Sequence, residues 1–329
     1  MIIDCHAHLV PPTLLDAIRS EKDAFPSARV VEQGGSLAFA FAGGKATRPV
    51  SKPLTDIAGR VQWMDAQGID RQVVGGWLDM FGYELPAQEG ERWAKLINTH
   101  LAEAARSQSR FVPLATVPLQ DGERAAAVLR EAHAARFPGA MIGTQPKGVG
   151  GVLDDPSLLP FWQAADELGS MIFIHPVFES GDDRVHGYGL ANAIGRITDT
   201  LIAVSRLICA GHVTRFANAK IIVGIGGAAL PFVLGRLRRN YELAKDSVAD
   251  PDAALAGLYY DTVVHDVRAL RLLVDVVGSD RIMMGSDMPF PIGDPAPLAI
   301  VEAANFSAAE RASVNGGLAA RLIGKTVEF

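Results

Sequence analysis

Met1-Ile2-Ile3-Asp4-Cys5-His6-Ala7-His8 opens the chain, an apolar run that delivers two histidines with one residue between them. If Ile2 to Cys5 is a buried strand, side chains alternate across it, and His6 and His8 leave its C-terminal end on one side. Neutral imidazole is a frequent metal ligand, and two of them on one side make half a site. Taken alone, the pair reads equally well as two unrelated polar residues after a strand. Two other apolar runs end in residues of matching chemistry, however. These are Ser170-Met171-Ile172-Phe173-Ile174-His175-Pro176 and Arg281-Ile282-Met283-Met284-Gly285-Ser286-Asp287.

Working outward, the pattern between these runs is a repeated helix and short apolar strand. Strands are expected at 71–77, 110–115, 139–144, 171–175, 221–225, 258–261 and 282–285. Helices are expected near 13–21, 55–67, 88–106, 121–135, 159–168 and 195–215, the last preceded by a long insertion over 177–194. Eight continuously apolar strands separated by helices describe a parallel barrel buried on both faces. The fold class is therefore α/β, a (β/α)8 TIM-type barrel, with residues 1–329 as one domain. Residues 24–52 fit no barrel unit; their alternating runs and Gly34-Gly35 and Gly43-Gly44 turns read as a small hairpin insertion over the barrel mouth. Lys45, Arg48 and Lys52 lie beside it, where mouth loops grip substrate, although solvated surface charge explains each equally simply.

Hydrophobic residues make up 49% and charged residues 21% of 329, the balance of a globular enzyme with a large core. A net charge of -6 and the lack of a basic, aromatic-laced patch argue against nucleic acid or an anionic membrane as partner. No apolar run reaches the ~20 residues of a membrane span, and no signal-peptide pattern precedes the first strand, so the cytoplasm is the expected location. Cys5 and Cys209 are too few for a disulfide framework and read as reduced, buried thiols.

In a barrel of this type the C-terminal ends of the strands converge on one face, so His6, His8, His175 and Asp287 can meet although they span most of the chain. Three nitrogens and a carboxylate oxygen suit a divalent transition ion, zinc first and manganese as the alternative. The plainer readings are a core histidine for His175 and a structural cap for Asp287.

The ordered set His6-Ala7-His8, His175-Pro176, Gly226-Gly227-Ala228-Ala229-Leu230-Pro231 and Gly285-Ser286-Asp287-Met288-Pro289 resembles the amidohydrolase superfamily, in its branch related to aminocarboxymuconate-semialdehyde decarboxylase. The resemblance implies a metal-dependent barrel enzyme acting on a small carboxylic acid, a non-oxidative decarboxylase of hydroxylated aromatic, heteroaromatic or muconate-like acids. Hydratases and carbon–carbon bond hydrolases also occur among such relatives, and a non-catalytic binding barrel is a third reading. By position, it assigns the metal to His6, His8, His175 and Asp287, with Asp287 also the catalytic group that handles a proton. It further implies a homodimer in which Arg236, of Gly235-Arg236, reaches the neighbouring protomer's substrate; Arg48, from the insertion, is a further candidate for binding it.

One departure matters. The family usually carries histidine before the Gly-Gly of strand six, and this chain has Ile225, which can neither take nor give a proton. Candidate substitutes are Asp287, with an upward-shifted pKa, or His186 or His265, while His212 falls in the preceding helix. A missing base favours decarboxylation over chemistry that needs hydroxide. Trp77, Phe81, Tyr83, Phe178 and Phe290 could wall a flat substrate, with core packing as the alternative for each.

Overall fold

A strand that is apolar on both faces must be covered on both, and a closed ring of parallel strands inside a ring of helices achieves this. The computed structural model describes residues 1–148, 150–176 and 182–324 and has that architecture. In chain order the strands are β1 (Ile3–His8), β2 (Ala28–Gln33), β3 (Ser36–Phe41), β4 (Arg71–Gly75), β5 (Phe111–Pro113), β6 (Gly139–Gly143), β7 (Met171–His175), β8 (Lys220–Val223), β9 (Leu258–Asp261) and β10 (Ile282–Met283). All except the β2–β3 hairpin belong to the barrel. β1, β4 and β5 pair in parallel, as do β6 through β10 in sequence. Single parallel bridges join the two arcs, Ala115 to Ala140 at one seam and Ala7 to Met288 at the other. At the second seam the N–H of Cys5 donates to the Met284 carbonyl (2.9 Å) and that of His8 to the Met288 carbonyl (2.8 Å). The eight-stranded ring is closed.

Several boundaries differ from the sequence expectation, each for a local reason. β1 runs on through His8, with a register shift against β4 between Asp4 and Ala7. β4 stops at Gly75 rather than Trp77, because the chain leaves the ladder into a 3₁₀ turn at Leu78–Met80. β8 ends at Val223; Ile225 (φ 54°, ψ 47°) and Gly226 (φ 58°) turn left-handed, with both backbone N–H groups donating to the Asp261 carboxylate. The helix expected over 195–215 is two, Arg196–Cys209 and His212–Arg215, separated by left-handed Gly211.

The insertion does contain an antiparallel hairpin, β2 against β3. Phe39 and Phe41 set their rings against Trp93 (5.8 and 5.5 Å between centroids) on the helix Ala87–Ser107. The hairpin itself therefore packs on a barrel helix. The segment after it reaches the mouth: the Arg48 guanidinium lies over the Trp77 ring at 5.9 Å. No helix among the described residues is long and apolar enough to cross a membrane.

Candidate metal centre

Strand ends bring four side chains to one buried point. His6 and His8 come from β1, His175 from the last position of β7, and Asp287 from the turn after β10. Gly285 permits the approach, since a Cβ there would sit 3.0 Å from His6 Cβ and 3.1 Å from Asp261 Cβ. The potential ligand atoms of His6, His8, His175 and Asp287 all lie within 4.8 Å of one another. The three Nε2 atoms face the same oxygen, Asp287 Oδ1, at 3.3 Å (His6), 3.1 Å (His8) and 3.6 Å (His175).

Each imidazole is oriented from behind. His6 Nδ1 bonds Asp261 Oδ2 (2.6 Å), His8 Nδ1 the Gly76 carbonyl (3.2 Å) and His175 Nδ1 the Pro176 carbonyl (3.0 Å). Acceptors on all three Nδ1 atoms place the proton there and leave the Nε2 lone pairs pointing inward. Nε2 of His6 and of His175 are buried without a hydrogen-bond partner. Buried nitrogens with free lone pairs, converging on a carboxylate oxygen, are the donor set of a divalent cation, and the residues fit one. A divalent metal belongs to this centre.

Without an ion between them, burial and the two carboxylates set the titration of these groups. Burial pulls His6 down, but the carboxylates of Asp287 and Asp261 outweigh it and bring its pKa up to about 10. Burial dominates at the other two rings, lowering His8 and taking His175 to about 3. Burial also opposes ionisation of Asp287, yet the charge of His6 and the imidazoles gathered around it hold it well below the usual carboxylate range. The upward shift considered for Asp287 is thus reversed by its neighbours, and it sits in the centre as a carboxylate.

The aromatic expectations divide. The Phe290 ring lies 4.8 Å from that of His8, and Phe173, not singled out from sequence, lies 4.7 Å from His6. Trp77 is buried below Arg48, whose Nη2 lies 3.5 Å from Asp79 Oδ2. Phe81 and Tyr83 line a cavity of about 310 Å³, with Phe41, Lys45, Asp79 and Gln145, formed where the strap after the hairpin meets the loops following β4 and β6. Phe178 lies outside the described residues. His186 and His265 are exposed, and His212 is packed between Trp162 and Phe216; none joins the cluster. Arg236 is exposed on the helix Leu230–Leu243.

Two site residues escaped the sequence reading. Asp261 closes β9 and holds His6; an acid at the end of an apolar barrel strand was its signal, the same one that marked Asp287. Arg196 is buried at the start of its helix, where the charge of Asp287 favours its ionised form against burial and Arg48 opposes it. Nothing in its local sequence distinguished it from surface arginines.

The chain belongs to the amidohydrolase family, whose family model, described as Amidohydrolase, matches residues 3–325. Within it, the chain is 30% identical to 2-amino-3-carboxymuconate-6-semialdehyde decarboxylase of Dictyostelium discoideum, over 98% of this chain and 91% of the relative. It is 25% identical to the solved 5-carboxyvanillate decarboxylase of Sphingomonas paucimobilis, with a TM-score of 0.79 over 98% of both chains. The apo structure of Metarhizium anisopliae IDCase shares the fold, with a TM-score of 0.83 at 23% identity over 100% of this chain and 98% of that one.

Proposed function

We propose that this chain is a metal-dependent, non-oxidative decarboxylase of a hydroxylated aromatic, heteroaromatic or muconate-semialdehyde-like acid. The observation that carries the reading is the buried convergence of His6, His8, His175 and Asp287 with isoleucine, not histidine, at position 225. Zinc suits three imidazoles and one carboxylate, with manganese as the alternative that metal analysis separates. When bound, the ion supplies positive charge that holds the acid's oxygens and draws electron density from the reacting carbon. Asp287, kept ionised in the resting site, takes a proton from the incoming acid or its hydroxyl. It returns that proton to the carbon that loses carbon dioxide, so one carbon–carbon bond breaks and one carbon–hydrogen bond forms. In this reading Arg196, which feels the charge of Asp287, and Arg48, which feels that of Arg196, receive the substrate carboxylate, since a guanidinium fork matches it. Phe290, whose ring lies 4.8 Å from that of His8, in this reading offers a flat substrate a wall beside the metal ligands, and Trp77 supports Arg48.

The working form in this reading is a homodimer. Of the arginines on the helix Leu230–Leu243, Arg238 is paired with Asp252 and Arg239 with Glu242, whereas Arg236 has no hydrogen bond or ion pair among the described residues. On the same helix Phe232 is 83% exposed, and the adjacent helix Arg196–Cys209 exposes Ile202. An apolar patch around an unpaired arginine fits a second copy that receives Arg236 at its substrate site.

The test is to load the protein with zinc or manganese and offer a panel of hydroxybenzoates and ring-cleavage acids. Carbon dioxide release and loss of the substrate's ultraviolet absorption are expected, and both should stop on chelation or in His175→Ala. Turnover at full rate in metal-free protein, or incorporation of labelled water without carbon dioxide release, overturns the reading.

A further inference from the structure

A carboxylate removed from water must have its lone pairs filled by donors. Asp4 is fully buried two residues before His6, and its two oxygens take four donors. Oδ1 accepts from the backbone N–H of His6 (3.1 Å) and of Ser286 (3.0 Å); Oδ2 accepts from Ser286 Oγ (2.5 Å) and Gln72 Nε2 (2.7 Å). Gln72 is buried as well, and its Oε1 accepts from Arg60 Nη1 (2.7 Å). The same guanidinium donates through Nη2 to the carbonyl of His8 (2.9 Å). Ser286 Oγ also accepts from the N–H of Met288 at 3.0 Å.

One directed chain therefore runs from Arg60 through Gln72 to Asp4, met from the other side by Ser286. It grips the backbone at His6 and His8 on β1 and at the residues on either side of Asp287. A buried ionic set of this kind adds little stability that well-packed apolar side chains would not supply. What it does add is direction, because the register of β1 against the β10 turn is fixed by donors matched to acceptors rather than by packing alone.

We propose that Asp4 is a positioning residue of the metal centre, setting the spacing between the histidine pair of β1 and Asp287 through Gln72 and Ser286. The inference rests on the metal reading above and concerns a residue that touches neither ion nor substrate. Asparagine is nearly isosteric but has an amide nitrogen where Asp4 Oδ2 now faces two donors. Asp4→Asn should therefore weaken zinc binding by about 10- to 100-fold although all four cluster residues remain. In the double variant Asp4→Asn/Gln72→Glu the carboxylate moves one link along. The carboxylate at position 72 accepts from Arg60 and from the amide introduced at position 4, which can also donate to Ser286 Oγ, and affinity should recover.

The measurement is zinc affinity by competition with a chromophoric chelator, with melting of the chelator-stripped proteins run alongside. Asp4→Asn with wild-type zinc affinity overturns the proposal, as does an impaired single variant that the second substitution fails to rescue. Should Asp4→Asn not fold, Ser286→Ala removes the hydroxyl that donates to Asp4 and accepts from the Met288 N–H, and should still weaken zinc binding; wild-type affinity there overturns it equally. If the wild-type protein binds no divalent ion at all, the metal reading itself fails, an outcome distinct from the others.

Discussion

His6 Nδ1 and Asp261 Oδ2 are 2.6 Å apart, and both side chains are fully buried. Asp261 also accepts from the N–H groups of Ile225, Gly226 and Val263, so the carboxylate is locked before it locks the imidazole. Asp261→Asn puts a donor where an acceptor is needed, which favours the wrong tautomer of His6. Metal affinity should fall by about 10- to 100-fold. Chelator competition on the purified variant checks this, and unchanged affinity would remove Asp261 from the centre's support.

Ile225 has its backbone in the left-handed region, a conformation that costs a β-branched residue on the order of 1–3 kcal/mol. Asparagine adopts it more readily and keeps the N–H that binds Asp261. Ile225→Asn should raise the melting temperature by about 2 °C without loss of bound metal. Ile225→His should give no gain in carbon dioxide release, because in the proposed reaction Asp287 itself accepts the proton and returns it. Activity that appears only in the histidine variant would show the wild-type barrel to be catalytically idle.

Arg236 and Phe232 test assembly together. Phe232→Asp places a charge in the exposed apolar patch and should shift sedimentation toward the monomer, with a fall in turnover. Arg236→Lys keeps the charge but loses the two-pronged geometry, and should raise KM with little change in melting temperature. A fully active monomer would remove the cross-protomer role.

His212 gives the fold a pH dependence of its own. Burial lowers its pKa below the usual histidine value. As pH drops through about 6.5, the unfolded chain takes up this proton first, and stability is lost down to the folded-state pKa. His212→Phe has no such proton. The melting temperature of the variant relative to wild type should therefore improve between pH 8 and pH 5, and a pH-independent difference would contradict the assignment.

The barrel was legible because its strands are short, apolar and evenly interrupted, and because the residues that matter sit at strand ends. His6, His8, His175 and Asp287 carried their chemistry in their own side chains and in that position. Asp261, Arg196 and Asp4 did not: what each of them meets is supplied by parts of the chain distant in sequence. The turn at Ile225 was hidden for a related reason. An isoleucine in an apolar run signals strand, and only the pull of a carboxylate from β9 takes it out of the ladder. The direction of the Asp287 shift likewise depended on three rings contributed by two other strands.

The seam at which Ala7 meets Met288 closes the ring by joining segments far apart in the sequence, and His8 and Asp287, bonded there, are 279 residues apart. Until β10 and the turn after it are in place, β1 has an open edge on that side. A chain that stops before residue 287 lacks one of the four cluster residues, so any such N-terminal fragment is without the complete centre.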